Sequence, residues 1–206
     1  MRCYLRHSLI LIAAVWLACA CAPAAHGEPK YYVMVFAYEG TPNLPREAHS
    51  FATFIKVEET AHVDPVRWPI EAHTISWMPA SLEIRVLRPM ERGVNYDLQA
   101  TLRLAASRKA RTTAWGPFQI KKELYDRALA QVERLNSGAV AYKAADVRLR
   151  PDVAVNCFHA ISDIVDGPLL DTGKAFGAPA SQIVMQHLSP WMIEPQKLHR
   201  GLVPRL

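Results

Sequence analysis

The stretch with the most chemistry in it is Asn156-Cys157-Phe158-His159. Asn156 is a good helix N-cap, because its side-chain oxygen accepts from the free backbone N–H groups of a first turn. Phe158, Ile161 and Val165 follow at helical spacing, and Asp166-Gly167-Pro168 stops the run. The pattern predicts a short helix that opens on Cys157. A thiol in a first turn meets the positive end of the helix dipole, which favours the thiolate and predicts a lowered pKa. The competing reading is a small buried hydrophobe, the usual state of a free cysteine.

A cysteine nucleophile needs a base to take its proton and a polar group to orient that base. Histidine suits the first task because it titrates near neutrality. The candidates are His49, His62, His73, His159, His187 and His199. His49 and His73 stand apart because each falls on a predicted strand, which fixes position. His159 is two residues from Cys157 and so lies on another face of the same helix. No Gly-x-Ser-x-Gly elbow, His-Glu-x-x-His helix or phosphate-binding glycine loop occurs.

The elements that must hold these residues are strands first and helices after. Tyr31 to Tyr38, His49 to Glu58, Ile70 to Met78 and Leu82 to Leu87 read as strands. On the second, Phe51, Thr53, Ile55 and Val57 share a face with His49; on the third, His73 is in phase with Ile75 and Trp77. Tyr96 to Ala106 predicts a helix capped by Asn95, with Leu98, Leu102 and Ala105 inward. Arg111 to Ile120 is extended, interrupted by Gly116-Pro117. Lys121 to Leu135 is the clearest helix, with Leu124, Ala128, Val132 and Leu135 on one stripe. Tyr142 to Val147 is extended or irregular, and Ser181 to Leu188 predicts a last helix. The fold class is α+β, an antiparallel sheet from the N-terminal half packed on helices from the C-terminal half.

Residues 1–27 read as a signal peptide, with Arg2 and Arg6 before an apolar stretch from Leu9 to Cys21 and small residues before a cut at Gly27. A lipid anchor on Cys19 or Cys21 is the alternative. Residues 28–206 are then one exported domain, periplasmic or secreted, with no transmembrane span in the mature chain. Three of the four cysteines fall in the leader, so the mature domain keeps Cys157 alone. That leaves no internal disulfide and no four-cysteine zinc site. The +5 of the whole chain, less Arg2 and Arg6, leaves +3. No basic run interleaved with aromatics points to nucleic acid.

These motifs resemble the papain-fold hydrolases of the NlpC type, in their circularly permuted branch with the lecithin–retinol acyltransferase-like proteins. That branch runs histidine, histidine, cysteine. His49-Ser50-Phe51-Ala52-Thr53 is similar to its histidine-led strand and Ala72-His73-Thr74 to its second. Asn156-Cys157-Phe158-His159-Ala160 resembles its Asn-Cys-Glu-His-Phe box, with Phe158 and Ala160 as departures. The resemblance implies a permuted papain-like domain with Cys157 as nucleophile, His49 as base and His73 as orienter. It also implies an oxyanion donor among the backbone amides near Cys157 with Tyr142, and support from Asn156 and His159.

The function so implied is an exported thiol-dependent hydrolase or acyltransferase. It would act on an amide or ester of a small-molecule, peptide or lipid substrate of the cell envelope, through an acyl-thioester and with no cofactor. Two alternatives remain open: a non-catalytic envelope-binding module on the same fold, and a zinc site of Cys157, His49 and His73. Oligomeric state is not legible in the chain.

Overall fold

The computed structural model describes residues 27–60, 63–64, 67–87, 89–146 and 152–205. Residues 1–26, which hold nearly all of the expected signal peptide, and His62 lie outside the described residues. The chain divides into two compact units, Met1–Glu28 with Glu58–Pro69, and Pro29–Val57 with Ile70–Leu206. In the smaller, the Gly27 N–H donates to the Glu59 carbonyl at 2.8 Å and the Trp68 indole N–H to the Thr60 carbonyl at 3.2 Å.

The larger unit is α+β. Its first sheet contains β1 (Lys30–Glu39), β2 (Ala48–Val57), β3 (Ile70–Ile75) and β6 (Arg111–Ile120), in the order β3-β2-β1-β6 and antiparallel throughout. A second, smaller sheet orders β4 (Trp77–Pro79), β5 (Glu91–Asn95), β7 (Ala141–Tyr142) and β8 (Ala154–Val155), with β7 and β8 parallel. The helices are α1 (Leu98–Ser107), α2 (Lys122–Asn136), α3 (Cys157–Ser162) and α4 (Ala178–Leu188).

Both faces of β1 and β2 are buried, which is why these strands read as near-continuous apolar runs. On one face Val33, Val35, Ala52 and Phe54 pack with Leu124 and Ala128 of α2, Ala160 and Ile161 of α3, and Val184 and Leu188 of α4. Each of these three helices thus buries apolar residues against the sheet, the arrangement that makes a two-layer core. On the other face Phe36 stacks on Phe51, ring centroids 4.9 Å apart, and His49 stacks on Phe51 at 5.6 Å.

The sequence predicts one strand over Ile70–Met78, and the chain instead breaks at Ser76 and passes from one sheet to the other. Asn95, expected to cap a helix, pins this break: its Oδ1 accepts from the Ser76 N–H at 2.8 Å and its Nδ2 donates to the Thr74 carbonyl at 2.9 Å. Asp97 caps α1 in its place, accepting from Ala100 at 2.6 Å. Residues 82–87 form turns and irregular chain, not the predicted fourth strand. The strand that follows Trp77–Pro79 is Glu91–Asn95, a polar segment without alternating hydrophobicity.

At the start of α4, Gly177 adopts φ 62°, and a Cβ there would meet Glu39 Oε2 at 2.5 Å. The same carboxylate accepts the Ala178 N–H at 3.0 Å and pairs with Arg111. This buried acid ties the helix start to the end of β1.

Candidate functional site

Cys157 stands where the sequence places it, at the first position of α3. Asn156 is its N-cap, and the cap's Oδ1 accepts from the His159 N–H at 2.8 Å. The turn is braced from behind by Asp146. Its carboxylate accepts the Asn156 N–H at 2.5 Å, Asn156 Nδ2 at 2.7 Å and His159 Nδ1 at 2.7 Å. His159 Nε2 lies 2.8 Å from the Leu170 carbonyl, which can only accept. With a carbonyl on one nitrogen and a carboxylate on the other, the ring is held as an imidazolium. Burial pulls its pKa down, but the hydrogen bond and charge of Asp146 outweigh that and raise it. His159 is therefore a buried brace of the cysteine turn.

Cys157, Asn156, His49, Ser50, Tyr142 and Phe158 line one cavity of about 480 Å3, whose remaining wall is largely apolar, with Ile84, Val86 and Phe176. Cys157 is the free cysteine among the described residues and is half-buried as a residue. Burial pushes its thiol up to about 11. The Ser50 backbone N–H, directed at the sulfur, pulls the other way, the Asp146 charge adds to the rise, and the amides of Phe158 and Cys157 lower it. The expected depression by the helix terminus is present but loses to desolvation. The resting group is a thiol.

His49 is buried, with Nε2 2.9 Å from Ser76 Oγ and Nδ1 without a hydrogen-bond partner. Burial, and then the nearby Arg108 guanidinium, lower its pKa to about 3, so the ring is neutral. Arg108 is itself fixed by the Tyr38 hydroxyl at 3.3 Å and the Leu82 carbonyl at 2.7 Å. Tyr142 is buried, and desolvation first, then the Cys157 and Asp146 charges, raise its pKa well above the ordinary value. Its phenol is a hydroxyl donor throughout the neutral range.

His73 does not join the site. Strands β2 and β3 are adjacent and antiparallel as expected, but His73 pairs with Phe54 in register and so shares the face of Phe54, opposite to that of His49. It is half-exposed, binds Glu71 Oε1 at 2.8 Å and meets the Tyr125 ring edge-on at 6.2 Å. The orienting contact to His49 comes from Ser76, one residue beyond the end of β3. This geometry also removes the zinc reading, since His73 and His49 lie on opposite faces of the sheet. Among the described residues no group of three or more His, Cys, Asp or Glu side chains is placed to hold a metal.

Ser76, Asp146 and the Ser50 amide are the contributors that sequence reasoning passes over. Ser76 does leave a trace, as a lone polar residue inside the apolar run Ile75-Ser76-Trp77-Met78, and it is fully buried. No family description, curated protein or solved structure matches this chain.

Proposed function

We propose that the protein is a thiol-dependent hydrolase or acyltransferase acting on an amide or ester, with Cys157 as nucleophile and His49 as general base. The observation that carries this reading is the unpartnered Nδ1 of His49. It is buried, its ring is held through the other nitrogen, and the ring lines the same cavity as Cys157. Buried polar atoms are ordinarily satisfied, and a free nitrogen on a ring that lines the cavity of a thiol is what a base awaiting a proton requires.

The thiol at about 11 and the imidazole at about 3 make the resting pair neutral. The proton therefore leaves Sγ for His49 as sulfur attacks the carbonyl carbon, and not in advance. The S–C bond forms while the carbonyl π pair moves onto oxygen, where Tyr142 and a backbone amide near Cys157 supply donors. The imidazolium then protonates the departing amine or alcohol, leaving an acyl-thioester that water or a second acceptor resolves. The apolar wall formed by Ile84, Val86 and Phe176 suits an acyl portion with little charge.

The permuted papain-like order of histidine strand, second strand and cysteine helix supports the reading, with Ser76 replacing His73 as orienter. Export to the cell envelope belongs to the same proposal and rests on the leader-like composition of residues 1–27. Among the described residues no helix is long and apolar enough to cross a membrane. A second reading, a binding module that holds a ligand in the same cavity without turnover, is favoured by the strong desolvation of both Cys157 and His49.

The two separate on a p-nitrophenyl ester assay. Nitrophenol release that is lost in Cys157→Ser and His49→Ala but kept in His73→Ala supports catalysis. Release unchanged in Cys157→Ser sinks it.

A further inference from the structure

Beside the thiol cavity lies a second one of about 520 Å3, lined in part by Arg46, Glu47, Glu83, Arg85 and Arg108. The two share a ridge. Arg46 and Glu47 line the second cavity, Pro45 and Ala48 on either side of them line the first, and Ile84 lines both. Tyr38 links the new cavity to the base: its hydroxyl accepts from Arg108 at 3.3 Å, and its ring centroid is 5.3 Å from that of His49.

The charges of the second cavity do not balance. Arg46 pairs with Glu47 at 3.3 Å and Arg85 with Glu83 at 2.5 Å. Arg108 is half-buried, and its guanidinium donates to neutral oxygens, the Tyr38 hydroxyl and the Leu82 carbonyl. Among the described residues no carboxylate pairs with it. As the C-cap of α1 it meets the negative end of a helix, which offsets only part of a unit charge. The fork is also held in place. Leu82 adopts φ 58°, which a leucine keeps only under constraint, with its N–H on the Pro79 carbonyl at 2.8 Å and its own carbonyl on Arg108 at 2.7 Å.

From this uncompensated guanidinium beside the thiol cavity we infer that Arg108 determines specificity, taking the carboxylate of an N-acyl amino acid whose acyl chain lies in the thiol cavity. Arginine presents paired N–H donors in the plane that a carboxylate matches. One free positive charge between two glutamates suits a monoanion, whereas a phosphate monoester carries nearly two charges and meets repulsion from Glu47 and Glu83. The acyl chain takes the apolar wall of Ile84, Val86 and Phe176. The reaction rests on the proposed roles of Cys157 and His49. Sγ bonds to the amide carbon, the C–N bond breaks, and the amino acid leaves with the proton from His49; water then releases the carboxylic acid and restores the thiol.

Isothermal titration calorimetry tests this on the full chain carrying Cys157→Ala, so that nothing is cleaved. The probes are N-octanoylglycine and N-octanoylglycinamide, the same molecule without the charge. The acid should bind at least tenfold more tightly than the amide, and Arg108→Gln should reduce that preference to within twofold. Equal binding of the two, binding of neither, or a preference that survives Arg108→Gln overturns the assignment. Tighter binding of O-phospho-N-octanoylethanolamine than of the acid also overturns it. If Arg108→Gln does not fold, the comparison of acid with amide at an intact Arg108 still decides. Binding as expected, with no octanoate released from N-octanoylglycine by wild type, would keep the carboxylate site and overturn the hydrolase reading alone.

Discussion

Ser76 Oγ holds His49 Nε2 at 2.9 Å, across the ring from an Nδ1 that has no partner. His49 lies on β2 and Ser76 in the break between β3 and β4, and the two meet because the chain leaves the strand there. Asn95 enforces the break by taking the Ser76 N–H. Had β3 continued in register, the residue facing His49 across the pair would have been Met78. A polar orienter thus exists only because the strand stops.

His73 should accordingly be dispensable for the site. Its contacts are Glu71 and the Tyr125 ring edge, on the opposite face and half-exposed. His73→Ala is expected to leave the alkylation rate of Cys157 unchanged within twofold, whereas Ser76→Ala should alter it. Equal effects of both substitutions would contradict the register.

The raised thiol makes a prediction about pH. Iodoacetamide reacts with the thiolate, so a group at about 11 should label slowly at neutral pH and accelerate as pH climbs toward 11. Relative to a free cysteine, whose pKa is about 8.5, the native rate near pH 7 should be lower by a factor on the order of 100. A stopped series of labelling reactions, with the unfolded chain as reference, measures both arms. Native labelling faster than the unfolded reference would show the helix terminus winning over burial.

Much of this was readable from residue order, and the losses have physical causes. Strands β1 and β2, helix α2 and the Asn156–Cys157 helix start are each carried by a local pattern of apolar spacing or capping. His49 and Cys157 were placed on the right elements for the same reason. The partners were not, because Ser76 reaches His49 through a break that depends on Asn95, and Asp146 reaches the cysteine turn from ten residues upstream. Strand alternation assigned His73 a face relative to Ile75 but could not relate that face to β2, since register is a long-range property. The direction of the thiol shift was missed because the dipole is local and legible while the depth of burial is not.

The brace behind the cysteine turn carries its own pH signature. His159 has its pKa raised by Asp146 in spite of burial, so its contribution to stability is complete below the unfolded value of about 6.5 and is lost as pH rises through the folded one. His49, lowered to about 3, acts at lower pH, where it makes stability rise with pH up to about 6.5. Chemical denaturation between pH 6.5 and 8 should therefore show stability falling in wild type. Asp146→Asn should flatten that slope and cost about 3–5 kcal/mol, because it leaves a buried charge unpaired. An unchanged slope in that variant would mean His159 is not the titrating group.

Gly93 offers a test of the second sheet. It pairs with Pro79 in the β4–β5 ladder, and a Cβ there would fall 1.8 Å from Cζ2 of Trp77, a side chain that is fully buried. Gly93→Ala must displace that ring, and a loss of about 1–3 kcal/mol is expected from overpacking. Thermal unfolding reads it directly. A variant as stable as wild type would contradict the packing of Trp77 against this strand.

The central claim, that Cys157 takes an acyl group with His49 receiving its proton, is tested most directly by intact-mass analysis of the native protein quenched shortly after mixing with p-nitrophenyl acetate. The account predicts a single acetyl adduct, mapped to Cys157, released by hydroxylamine and formed far more slowly in His49→Ala. A native protein that stays unmodified at Cys157, or an adduct that forms as fast without His49, would contradict it.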